Sequence, residues 1–326
     1  MKINVTDRLF CINHSHRTRL SVESFIEENG DCIEGMLSCE SCGSKYPIIE
    51  GVAIIVNDFS IYAANRVQIF GNWIVGTKSA ELKAFLREKG EAIHKSENNM
   101  NRYDDAEWFR PFTWTHYEYS LDDRLLSMLR WKIRPDEIYR KVANLIGNSM
   151  VQVGLDLGCS VGGAALLMAK KLSFVFGIDL SFSFIAEARR RMKFMQMHNV
   201  EFIVCDSTRM PFGQKYFDVV SALNLIGRID LESTIQSVNN LIKYEGRLFM
   251  ADPYDIVNNT VQRIQSQSQS RINGAELRHL LEKSGYNIMP RTKKSESFIP
   301  WIVKINQRCY LFYFVDFIEA RRKKGT

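Results

Sequence analysis

The sequence predicts an α/β protein: a doubly wound, mostly parallel sheet, preceded by a small cysteine-bearing domain and a helical segment. Three observations carry this. Residues 151–326 alternate strand-like and helix-like stretches, the pattern of a parallel sheet with crossover helices. The strand-like stretches are apolar almost throughout, as strands covered on both faces are. Residues 1–58 instead read as short strands and turns around the only close cysteine pair.

The elements follow in order. "VQVGLDL" is a strand and 161–171 a helix. "FVFGIDL" is a second strand, followed by a basic helix over 182–198. "VEFIVCDS" is a third strand and "YFDVVSALNLI" a fourth, with a helix over about 231–243 after it. "GRLFMADPY" is a fifth strand, and "NGAELRHLLEKSGY" a helix turned at Gly285. Two extended segments close the chain, the last rich in aromatics and alternating like a hairpin at a sheet edge. Residues 59–134 form a helical, aromatic linker or lid between the ribbon of 1–58 and the α/β domain of 135–326. A helix at each crossover makes the sheet Rossmann-like.

"LDLGCSVGG" raises the question of what its turn holds. A dinucleotide turn needs G-x-G-x-x-G, but Ser160 stands at the middle glycine. A phosphate-binding G-x-x-x-x-G-K-[ST] loop needs a lysine where Ala164 stands. Asp156, two residues before Gly158, would repel a pyrophosphate and attract an ammonium group. Asp179 ends the second strand, where a ribose-binding acid belongs, and Asp206 ends the third. Three acids at successive strand ends suit a cationic nucleoside without phosphate. Each alone would be read as a cap or a strand end.

Together, "LDLGCSVGG", "GIDLS", "CDSTRMPFGQKYFDVV" and "GRLFMADPY" resemble the class I S-adenosylmethionine-dependent methyltransferases over roughly residues 135–326. The resemblance implies S-adenosylmethionine as cofactor. It places Asp156, Gly158 and Gly162 around the methionine moiety, Asp179 on the ribose, and Asp206 with Ser207 near adenine. Ser160, Leu180 and Asn224 belong to the same cofactor-binding set. Ser160 replaces a glycine often found in that motif.

In the N-terminal part, Cys11 and His14 stand three apart, as do Cys39 and Cys42. Two such knuckles can close one tetrahedral zinc site of three thiolates and an imidazole, with His16 competing for the imidazole place. Such a site is structural, and a domain of this size has little core without it. "SCGSKYPIIEGVAIIV" resembles the small zinc-ribbon domain known as an activator subunit of several methyltransferases, over about residues 8–58. In that family the first knuckle usually has two cysteines; here His14 replaces the second. Cys32 reads as an inert core thiol.

For the acceptor, the fourth strand ends in "NLIGR", without the N-P-P-Y or D-P-P-Y of adenine amino-methylases. The fifth ends in "ADPYDIV", which aims Asp252, Tyr254 and Asp255 at the acceptor region. "WFRPFTWTHYEYSLDD" adds His116 as a candidate base near neutral pH, with Tyr117 and Tyr119 beside it. The candidate catalytic residues are therefore His116, Tyr117 and Tyr254.

The net charge of +6 permits an anionic partner without demanding one. No apolar run approaches the ~20 residues of a membrane span, and the first residues lack a signal-peptide core. Seven scattered cysteines fit a reduced, cytoplasmic protein with no membrane partner. The expected function is methyl transfer to a small-molecule N, O or S nucleophile. RNA methylation and a non-catalytic, methyltransferase-like scaffold are the alternatives.

Overall fold

The computed structural model describes residues 1–13, 18–93, 106–118, 134–254, 273–290 and 298–324. Its strands are β1 (Ser21–Glu28), β2 (Asp31–Ser38), β3 (Lys45–Ile49), β4 (Val52–Ile55), β5 (Ser149–Leu157) and β6 (Leu172–Asp179). They continue with β7 (Val200–Cys205), β8 (Phe217–Leu223), β9 (Ile242–Asp252), β10 (Tyr286–Ile288), β11 (Phe298–Asn306) and β12 (Cys309–Arg322). The helices are α1 (Phe59–Ala64), α2 (Val67–Gly76), α3 (Ala80–Ile93), α4 (Ala106–Thr113) and α5 (Glu137–Ile146). After them come α6 (Gly163–Ala169), α7 (Phe182–Phe194), α8 (Leu231–Leu241) and α9 (Gly274–Lys283). This is the α/β, mostly parallel class that the alternation predicts.

The chain clusters into two compact units. One comprises Met1–Arg110, Ser160–Gly162 and Phe176–Gly213; the other comprises Pro111–Cys159, Gly163–Val175 and Gln214–Thr326. These units cut across the division at residues 58 and 134 expected from the sequence.

In the first unit, strands run in the order β1-β2-β3-β4-β7-β6. β1 to β4 form an antiparallel meander. Its hairpin turns carry paired positive φ angles, at Asn29 and Gly30 (52° and 78°) and at Glu50 and Gly51 (53° and 77°). Such turns match the right-handed twist of the flanking strands. β4 then pairs in parallel with β7, Ile54 against Val204. Every side chain of β4 and β7 is buried; apart from Glu201 both runs are apolar, and they meet at the core of the sheet. The N-terminal ribbon is thus an extension of the sheet.

Two polar devices hold this unit together. The Glu34 carboxylate, on β2, accepts from the backbone N–H groups of Lys78 (2.8 Å) and Ser79 (2.8 Å) and from the Ser79 hydroxyl (2.7 Å). It thereby caps the start of α3, and these bonds outweigh burial to leave its pKa lowered. Arg189 of α7 donates to Glu201 of β7, both buried, and to Asp31 at 3.3 Å. Around α1 and α2, Phe59, Phe70 and Trp73 pack ring on ring, and Trp73 meets Phe182 edge-on at 4.8 Å.

In the second unit, strands run β5-β8-β9-β12-β10, with β11 on β12. β5, β8 and β9 are parallel, and β12 returns antiparallel to β9. The aromatic C-terminal segments form the expected hairpin, β11 against β12. α4 gives way to a π-helical turn, Trp114–Glu118, whose Thr115 hydroxyl lies 3.0 Å from the Pro111 carbonyl and 3.2 Å from that of Ile302 on β11. No helix among the described residues is long and apolar enough to cross a membrane.

Removing one member of the buried Arg189–Glu201 pair strands a charge. Arg189→Met should lower unfolding free energy in urea by about 3–5 kcal/mol. Arg189→Met combined with Glu201→Leu should recover most of that loss.

Candidate cofactor and acceptor site

The glycine turn is built from left-handed backbone. Gly158, Ser160 and Gly162 have φ of 62°, 50° and 89°. Glycine is required at Gly162, where a Cβ would lie 2.8 Å from Phe202 and 2.9 Å from Ala188. Ser160 takes up the left-handed region with a side chain, at a cost of about 1–2 kcal/mol. Its backbone N–H donates to Asp179 Oδ2 at 2.9 Å, which offsets that cost.

Asp179, buried at the end of β6, also accepts from the Ser181 N–H on Oδ1 at 2.8 Å. Its carboxylate therefore ties the turn to the start of α7. The Leu180 carbonyl accepts from the Tyr62 hydroxyl at 2.8 Å and from Arg66 Nη2 at 3.3 Å. The Arg66 guanidinium lies over the Tyr62 ring, 3.9 Å from its centroid. Tyr62 and Arg66 come from a segment that offered no motif. Only the long-range fold reveals that they grip the residue after Asp179.

Asp206, half-buried after β7, accepts from the Thr208 N–H and hydroxyl on Oδ1, both at 2.8 Å. Ser207 follows it, also half-buried. Oδ2 of Asp206 has no hydrogen bond among the described residues.

In the second unit, Asp156 is buried at the end of β5, and its Oδ1 accepts from the Ser221 hydroxyl at 2.7 Å. Asn224 follows β8 with φ of 56°, its N–H donating to the Ala251 carbonyl at 2.6 Å. Asn224 Oδ1 is buried with no hydrogen-bond partner among the described residues. Buried acceptors are rarely left so, which fits a position completed by a ligand donor.

His116 sits in the π-helical turn. Its Nδ1 accepts from the Gly163 N–H at 3.0 Å, and its Nε2 lies 2.8 Å from the Tyr139 hydroxyl. Burial lowers its pKa to about 3. A base needs an open lone pair and a pKa near the working pH, so these contacts do not fit the base role expected for His116. The Tyr117 ring lies 5.9 Å from the imidazole. Tyr139 carried no sequence signal beyond its place on the apolar face of α5. Tyr119 and Asp255 lie outside the described residues.

Asp252 ends β9 and holds two backbone N–H groups, Ile226 on Oδ2 at 2.9 Å and Tyr254 on Oδ1 at 2.8 Å. The Tyr254 hydroxyl donates to Asp316 at 3.1 Å, and Arg278 grips Asp316 with two 2.7 Å bonds. Burial first, then the Asp316 carboxylate, pushes the Tyr254 phenol well above the usual range. Tyr254 is therefore a neutral phenol, not a phenolate base.

In the first unit, the Sγ atoms of Cys11, Cys39 and Cys42 lie within 4.8 Å of one another, with Cys11 and Cys42 at 3.6 Å. Sulfurs on a tetrahedral zinc with Zn–S of about 2.3 Å stand about 3.8 Å apart, so the trio fits that donor set. Burial works against Cys39, yet the backbone N–H groups of Cys42 and Ser41 leave its pKa lowered. The Ser44 hydroxyl, 3.0 Å away, lowers Cys42. His14 and His16 lie outside the described residues. Cys32 is buried, as expected of a core thiol. A cleft of about 830 Å³ in this unit is walled by Glu23, Phe25, Phe59, Glu81 and Phe85, and none of the expected site residues lines it.

The family model described as "Methyltransferase domain" matches residues 151–289. Over that segment, less than half of the chain, the sequence is similar to a methyltransferase domain. No curated protein matches the sequence. Among solved structures, it is similar to magnesium protoporphyrin IX methyltransferase (ChlM) of Synechocystis PCC 6803 with bound SAH, at 17% identity and a TM-score of 0.47, covering 68% of this chain and 96% of that one. It is similar to the YcgJ protein of Bacillus subtilis at 15% identity and a TM-score of 0.45, covering 58% of this chain and 99% of that one. A third is phosphoethanolamine N-methyltransferase 2 of Haemonchus contortus in complex with S-adenosyl-L-methionine, at 16% identity and a TM-score of 0.44, covering 66% and 60%.

The turn makes opposite demands at two neighbouring positions. Gly162→Ala should cost about 1–3 kcal/mol in thermal or urea unfolding, from overlap and left-handed strain. Ser160→Gly should leave stability unchanged or raise it by up to about 1 kcal/mol.

Proposed function

We propose that the chain transfers a methyl group from S-adenosylmethionine to a small-molecule N, O or S nucleophile. The observation that carries this is the left-handed glycine turn, held through Ser160 by the buried Asp179, in a segment matched to a methyltransferase domain. No phosphate-binding glycine or lysine interrupts it, and the acids that would repel a phosphate are in place. When bound there, S-adenosylmethionine would supply an electrophilic methyl carbon for the acceptor's lone pair.

The chain's own residues bind and orient. Asp156, Gly158, Ser160 and Gly162 take the methionine part, Asp179 with Leu180 the ribose, and Asp206 with Ser207 the adenine. Asn224 offers its buried Oδ1 as a further acceptor. Asp252 and Tyr254 border the acceptor side, the phenol remaining protonated as a hydrogen-bond donor. With His116 and Tyr254 both neutral, the chain's contribution to the chemistry is alignment and exclusion of water. The modest charge of +6 gives no reason to prefer a polyanionic acceptor. We also propose a structural zinc ion on Cys11, Cys39 and Cys42 with His14 as fourth ligand, as the close approach of the three thiols supports.

Titration calorimetry with S-adenosylhomocysteine tests the cofactor reading. Micromolar binding is expected, weakened about tenfold in Asp206→Ala, whose described bonds reach only Thr208. Well-folded protein that takes up no heat with this ligand would sink the reading in favour of a scaffold. Elemental analysis tests the metal: about one zinc per chain is expected, absent from Cys39→Ser. Chelation should lower the melting temperature of the wild type and leave that variant unmoved.

A further inference from the structure

We propose that His116 is a positioning residue of the cofactor site: a neutral imidazole acting as a fixed hydrogen-bond acceptor for the backbone of Gly163, where the glycine turn passes into α6. The inference rests on the methyltransferase reading above, since that reading gives the turn its ligand.

The geometry determines the protonation state. The Gly163 N–H can only donate, and it points at Nδ1 from 3.0 Å. Nδ1 must therefore present its lone pair, and the ring proton resides on Nε2. From there it is donated to the Tyr139 hydroxyl oxygen at 2.8 Å. A protonated Nδ1 would face an N–H group and lose the bond. The first N–H groups of a helix have no partner within it. A local Ser or Asp usually serves them; here an imidazole 47 residues upstream does so.

Both ends of this contact are built for it. A Cβ on residue 163 would lie 2.3 Å from Nδ1, so only glycine lets the ring approach. The ring is held by the π-helical turn that Thr115 pins to Ile302, and by Tyr139 on α5, whose ring centroid is 4.6 Å away. Single π-helical turns are frequent at functional sites, and this one delivers a side chain to a defined backbone atom. The one free lone pair of the neutral ring is used on Gly163, which leaves none to take a proton from an acceptor.

Imidazole nitrogen NMR on the full chain at neutral pH should show His116 as the Nε2–H tautomer, with Nδ1 a bare acceptor. His116→Phe should raise the dissociation constant for S-adenosylhomocysteine about 10- to 100-fold. His116→Asn sets a carbonyl oxygen near the place of Nδ1 and should restore affinity to within a few-fold of wild type. His116→Gln sets its amide near Nε2 instead and should not. If His116→Phe fails to fold, the Asn and Gln variants make the comparison by themselves. An Nδ1–H tautomer, an imidazolium, or equal affinity in the Asn and Gln variants would overturn the proposal. Wild-type protein that binds no S-adenosylhomocysteine while showing the Nε2–H tautomer would remove the methyltransferase reading. The positioning role would go with it, leaving His116 a structural latch only.

Discussion

The bond from the Ser160 N–H to the buried Asp179 carboxylate is the constraint on which the glycine turn depends. It holds a serine in backbone that favours glycine, and it does so with a carboxyl group that is itself buried. The Asp179 carboxylate accepts the backbone N–H groups of both Ser160 and Ser181. Asp252 repeats the device, collecting the N–H groups of Ile226 and Tyr254 at the end of β9. Strand-end acids here organise backbone first, and any ligand role is added to that work.

Neither His116 nor Tyr254, the candidate bases, is poised to take a proton near neutral pH. Burial holds the His116 imidazole uncharged and keeps the Tyr254 phenol protonated. Each also has a specific partner, Gly163 for the first and Asp316 for the second. Methyl transfer from a sulfonium asks mainly for alignment, because the leaving group carries the driving force. A site made of fixed donors and acceptors meets that demand without a base of matched pKa.

The N-terminal ribbon illustrates how an added module can become part of a core. β4 pairs with β7 as a further parallel strand, and Arg189 bridges Glu201 on β7 and Asp31 on β2. Glu34 then caps α3 from the same meander. Cross-linked in this way, the first residues are elements of one sheet rather than a domain on a linker. The Cys39 and Cys42 thiols lie in the turn between β2 and β3, where Cys11 from before β1 meets them.

The sequence by itself determined the α/β alternation, the succession of strands over 151–254, the glycine-rich turn and the acids at the strand ends. These are legible because they are local: apolar runs, a turn that needs glycine at Gly162, and a carboxylate at a strand's end. The spacing of Cys11, Cys39 and Cys42 was legible for the same reason. Only the tertiary structure decided that β4 joins the parallel sheet, that Tyr62 and Arg66 hold Leu180, and that His116 is spent on Gly163. Each of these joins residues 47 or more apart in the chain, and neither periodicity nor motif encodes such a partner. A histidine among aromatics reads as a base until burial and a backbone N–H assign its lone pair, and those are properties of the folded neighbourhood alone.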